Sequence, residues 1–155
     1  MTRRKGQSGL TLVELIVAFT IMLILTNMAV PIARSKVRRQ RERDLRNALV
    51  EVRRAIDKYK DYSDQGLLGM QKQGTEGYPE KLEILVEGVK LGNQVDKKIR
   101  FLRRVPKDPF TNSTEWGMRS TQDDPKSNSW GGQNVFDIYT KTLEKAPDGT
   151  AYSEW

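Results

Sequence analysis

The chain has 155 residues, a net charge of +7, and neither cysteine nor histidine. That length suits one modest domain plus one long element, because single domains run about 100 to 150 residues. Lack of cysteine excludes a disulfide framework, a thiolate nucleophile and a cysteine-based zinc site. Lack of histidine removes the general base of the usual serine and cysteine hydrolases, so no enzyme is expected.

The charge is uneven. Arg3, Arg4 and Lys5 form a basic leader, residues 32–60 hold 11 basic and 4 acidic residues, and residues 61–155 hold 13 basic and 15 acidic. The distal part is thus slightly acidic, and the basic character sits on one stretch.

From Leu10 to Val30 runs an apolar segment of 21 residues with one charge, Glu14. As a helix it measures about 31 Å against a bilayer hydrocarbon thickness of about 30 Å, so a membrane span is expected. An ordinary secretory signal fits less well. The run exceeds the usual apolar region of such signals, a carboxylate lies inside it, and Ala29-Val30-Pro31 offers only a weak cleavage site.

After Pro31 the helical pattern resumes without a turn cluster. Leu45, Ala48, Leu49, Val52, Ile56 and Tyr59 recur at three- and four-residue spacing, an amphipathic stripe. Pro31 is therefore expected to kink one helix from Leu10 to Tyr62, about 80 Å in length, rather than end it. Residues 63–77 hold four glycines among polar residues and read as a loop. Leu82 to Val89 suggests a short helix, and Ile99–Val105 and Val135–Thr140 carry the β-branched and aromatic residues of strands. Pro106, Pro109, Pro125, Gly131, Gly132, Pro147 and Gly149 punctuate the remainder as loops.

The sequence Gly9-Leu10-Thr11-Leu12-Val13-Glu14 joins the basic leader to the apolar run. It resembles the prepilin peptidase signal of type IV pilins and type II secretion pseudopilins. That family has a leader ending in glycine, an N-methylated hydrophobic first mature residue, and glutamate at the fifth mature position. By this resemblance Gly9 ends the leader, Leu10 is the methylated residue in place of the usual phenylalanine, and Glu14 is the assembly glutamate.

The residue types suit those roles. Glycine before the cut leaves room for a peptidase. A carboxylate in a bilayer-spanning segment is costly unless paired. Cleavage creates a partner, the Leu10 α-amine, so Glu14 of one subunit can neutralise the terminus of a neighbour in a water-poor filament core. A lone glutamate near the interface would simply snorkel into water. Glu14 together with Gly9, Thr11-Leu12 and the basic leader favours assembly.

Further along, Gly77-Tyr78-Pro79, Val105-Pro106-Lys107-Asp108-Pro109-Phe110, Phe136-Asp137-Ile138-Tyr139 and Pro147-Asp148-Gly149 resemble, in that order, the major pseudopilin of type II secretion. The resemblance implies an α+β fold: a long N-terminal helix, membrane-spanning in its first half, packed on a small antiparallel sheet. Residues 1–9 would be the cleaved leader, 10–31 the transmembrane and filament-core half-helix, 32–62 the amphipathic half, and 63–155 a small periplasmic domain.

It also implies a subunit of a helical homopolymer in the inner membrane and periplasm. The implied partners are minor pseudopilins, the prepilin peptidase, the inner-membrane assembly platform and membrane lipid. A type IV pilus subunit and a membrane-anchored periplasmic binding domain that never polymerises are the alternatives.

Many major pseudopilins bind calcium through the last loop. This chain has Asp148 but ends Thr150-Ala151-Tyr152-Ser153-Glu154-Trp155, without the acidic pair expected there. Calcium takes about six to eight oxygens, so no cofactor is expected, and apolar packing of Tyr152 and Trp155 is expected in its place. Asp123-Asp124 reads as a turn feature.

Arg34, Lys36, Arg38, Arg39, Arg41, Arg43 and Arg46 make a basic run. Basic helices bind nucleic-acid phosphates, but a position directly after a membrane span favours anionic lipid or acidic neighbours, and no nucleic acid is expected. Counting Lys and Arg on both flanks would place the distal domain in the cytoplasm. The prepilin resemblance instead implies that the leader faces the cytoplasm.

Overall fold

The computed structural model describes residues 11–92 and 94–155, and the side chains of these apart from 27–33 and 94–97. Helix α1 (Leu12–Asp64) is followed by α2 (Glu83–Glu87), β1 (Val89–Leu91), β2 (Gln94–Ile99), β3 (Gly117–Arg119), β4 (Asp137–Tyr139) and a 3-10 turn at Tyr152–Glu154. The class is α+β. The sheet is divided into two antiparallel pairs, β1 with β2 and β3 with β4.

The described residues fall into two compact units divided between Gln40 and Arg41. In the first, α1 opens at Thr11, whose hydroxyl accepts the Glu14 backbone N–H at 3.3 Å. This satisfies one of the donors that every helix start leaves orphaned. The acidic residue in the first turn is Glu14, the sign that complements the helix dipole there. α1 continues through position 31; the expected kink falls at Pro31, among the residues whose side chains lie outside the described set.

In the second unit the stripe read from the sequence faces inward. Leu45, Leu49, Val52, Ile56 and Tyr59 are buried with Leu82, Leu85, Leu102, Trp116, Val135, Ile138 and Tyr152. The short helix begins where expected, and β4 lies inside the expected strand 135–140.

The expected strand 99–105 is not formed; β2 ends at Ile99. Beyond it, the Phe101 and Leu102 N–H groups both bond to the Leu85 carbonyl, at 3.0 and 2.9 Å. The backbone therefore closes the end of α2 instead of extending a ladder, while Leu102 still enters the core and Phe101 packs edge-on against Tyr59 and Tyr62. β1 and β3 have no strong sequence signal. Each is three residues long and exists through its partner, Val89 opposite Ile99 and Gly117 opposite Tyr139.

Candidate functional site

Gly9 and Leu10 lie outside the described residues, and the site begins at Thr11. From Leu12 to Leu25 the large apolar side chains are exposed on every face of the helix: Leu12, Val13, Leu15, Ile16, Val17, Phe19, Ile21, Met22, Leu23, Ile24 and Leu25. A globular surface helix buries one stripe and wets the other, whereas a helix apolar all round needs cover on all sides.

The polar side chains here are handled within the helix. Thr20 and Thr26 donate their hydroxyls to the Ile16 and Met22 carbonyls, both at 2.8 Å. Such back-bonding lets a hydroxyl sit in apolar surroundings without an outside partner. Glu14 is different. Thr11 caps its backbone and not its carboxylate, which stands exposed as the single charge of the stretch. The Thr11-x-x-Glu14 spacing is a capping-box signature, a role for Thr11 that the prepilin pattern alone does not reveal.

Among the described residues no helix is long and apolar enough to cross a membrane. The described apolar side chains run from Leu12 to Thr26 and do not include those of 27–33.

The basic run follows. Arg34, Lys36, Arg39, Arg41 and Arg43 are exposed, and Arg38 is half-buried. Arg46 belongs instead to the domain, its guanidinium 4.2 Å above the Trp155 ring.

The first three distal motifs converge, while Pro147-Asp148-Gly149 stays exposed in the final hairpin. Val135 N–H donates to the Pro79 carbonyl at 2.8 Å, and Tyr78 meets Phe136 edge-on, so the first motif backs the third. Asp108 is 1% exposed. Its carboxylate accepts the Phe110 N–H at 2.8 Å and the Thr140 hydroxyl, which ties the second motif to the end of β4. A buried carboxylate is tolerated only when hydrogen-bonded in this way. Phe110 also packs on Tyr152 with ring centroids 4.3 Å apart. These segments brace the core side of the domain.

Two arginines fix the last residues. Arg53 pairs with Asp137 at 2.7 Å and donates to the Trp155 carbonyl at 2.7 Å. Buried Arg119 donates to the Ser127 and Ser153 carbonyls and lies 4.2 Å from the Tyr139 ring centroid. Neither arginine stands out in the sequence, because each gains its role from partners far along the chain.

The final loop is closed by its own hydrogen bonds. Lys145 bridges to Ala151, and Ala146 N–H donates to the Thr150 carbonyl at 2.8 Å, which makes a closed hairpin. Asp148 Oδ1 accepts both the backbone N–H and the hydroxyl of Thr150, at 3.0 and 2.7 Å. The Thr150 bonds hold this carboxyl below the ordinary range. Tyr152 is buried between Phe110 and Trp155, the expected apolar packing, and donates its hydroxyl to Glu42 at 2.7 Å. Asp123 and Asp124 are turn residues. Asp123 accepts the Ser120 and Gly131 N–H groups, and Asp124 accepts that of Lys126.

No characterised protein and no solved structure matches the chain. Residues 4–28 match the family described as the prokaryotic N-terminal methylation motif, and the match supports a type IV pilin-like prepilin signal at this end of the chain.

Proposed function

We propose that the chain is a structural subunit of a type II secretion pseudopilus. A prepilin peptidase cuts between Gly9 and Leu10, and Leu10 is then methylated. The apolar helix first anchors the subunit in the inner membrane with its domain in the periplasm, and later packs in the filament core. Glu14 sets the register there by pairing with the Leu10 amine of a neighbour. Minor pseudopilins and the inner-membrane assembly platform are the further partners.

The observation that carries this reading is the methylation motif over residues 4–28, which frames one exposed carboxylate in a helix apolar on every face. The order of the distal motifs supports a pseudopilin over a pilus subunit.

Electron microscopy of sheared material from overproducing cells tests it, combined with cross-linking. Short filaments that require a secretion assembly platform are expected. Long, retractable surface fibres would favour a type IV pilus, and an unpolymerised membrane protein would refute assembly.

A further inference from the structure

The basic run poses a problem that the filament does not solve. Dense positive charge beside a span normally marks the cytoplasmic side, yet here it lies on the side of the domain. Within the first unit, Arg34, Lys36 and Arg39 are exposed and Arg38 is half-buried.

At 3.6 residues per turn, Arg34 and Arg38 share one face of α1, while Lys36 and Arg39 share the opposite one. A protein partner would be met by one charged face. Cations on opposite faces suit a helix that is surrounded. The zone also continues the preceding one: apolar on every side to Thr26, then cationic on opposite sides from Arg34.

We infer that Arg34, Lys36, Arg38 and Arg39 form a collar that binds anionic phospholipid headgroups around the emerging helix, on the membrane face nearest the domain. This rests on the proposed anchoring. Charge complementarity and continuity with the apolar zone select lipid as the occupant. Headgroups pack around a helix and meet cations at every azimuth, and basic side chains near an anionic surface are attracted within a Debye length.

The collar also makes processing consequential. With the leader present, cations flank both ends of the apolar run. Removal of Arg3, Arg4 and Lys5 leaves the collar as the dense cationic flank, so anionic lipid holds the processed subunit from the domain side and opposes its extraction.

Native mass spectrometry of the full processed chain in neutral detergent, titrated with phosphatidylglycerol and phosphatidylcholine, tests the collar. Wild type should retain phosphatidylglycerol preferentially. The triple variant Arg34→Gln/Lys36→Gln/Arg39→Gln should lose that preference on the order of a hundredfold, from about fivefold per basic residue near an anionic surface. Phosphatidylcholine retention should be unchanged.

Equal retention of both lipids by wild type, or an undiminished preference in the variant, overturns the collar alone. Failure to retain either lipid overturns the anchoring as well. Displacement of phosphatidylglycerol by free glycerol phosphate would reveal a free-phosphate site, and lipid-independent dimers lost in the variant would reveal a second copy as the occupant; either result refutes lipid binding. Circular dichroism checks the variant's helix. Should that helix be lost, the salt dependence of wild-type retention decides: added salt should release phosphatidylglycerol, and salt-insensitive retention would refute the collar.

Discussion

The Thr11 hydroxyl accepts the Glu14 backbone N–H at 3.3 Å, a capping bond made to the main chain of Glu14 that survives a change of its side chain. A side-chain substitution at Glu14 therefore separates helix formation from assembly.

Glu14→Val should leave cleavage and insertion intact and abolish filaments. Insertion becomes easier by roughly 2 to 3 kcal/mol, so poor insertion is excluded as a cause. What is lost is the partner of a neighbour's Leu10 amine, and an uncompensated buried charge costs about 3 to 5 kcal/mol at each contact. Filament yield by electron microscopy, with gel mobility as the processing control, is the measurement. Normal yield from the variant would mean that the carboxylate merely snorkels.

Gly117 lies beneath the ring of Tyr139, its cross-strand partner. A Cβ at Gly117 would stand 2.3 Å from the ring, nearer than any real contact. Gly117→Ala must push away a ring that also donates to the Asn128 carbonyl at 2.9 Å and stacks with Arg119. Overpacking of this kind costs about 1 to 3 kcal/mol, and a fall of several degrees in Tm is expected. On a Tyr139→Ala background the same change should cost much less, which a double-mutant cycle of thermal melts can establish.

Asp123 governs acid sensitivity of the 120–131 loop. The backbone N–H groups of Ser120 and then Gly131 lower its pKa. A depressed folded pKa contributes stability above the unfolded value, and that contribution is lost as pH falls through the folded one. The Tm difference between wild type and Asp123→Asn should accordingly be full near neutrality and shrink once pH drops below about 4, the ordinary aspartate value. A difference constant from pH 7 to pH 2 would remove Asp123 from this role.

The final hairpin should not depend on calcium, because Asp148 is engaged by Thr150 and the segment is fastened by Tyr152, Arg53 and Arg119. Melting curves of the full chain in detergent should coincide with and without a chelator. A large chelator-induced drop in Tm would place a cation in the loop.

The parts legible in the sequence are those whose periodicity survives folding. Leu45 to Tyr59 reads as a buried stripe because each turn of α1 repeats the same burial. The strand 99–105 misreads because Phe101 and Leu102 have strand-like side chains on a backbone captured by the Leu85 carbonyl. β3 is invisible because Gly117 is chosen for the Tyr139 ring above it and not for strand propensity. At the candidate site, the Glu14 spacing was readable as a pattern, whereas the Thr11 cap needed the same four residues read a second way, as a helix start. The Arg53–Asp137 and Asp108–Thr140 links join residues far apart in sequence, and nothing local announces them.

The mass of the membrane-extracted chain tests the central claim most directly, since every later step requires the new terminus. We predict a chain beginning at Leu10, with Met1 to Gly9 removed and one methyl group added. An intact Met1 terminus, or a cut near Ala29, would contradict the prepilin reading and with it the pairing of Glu14.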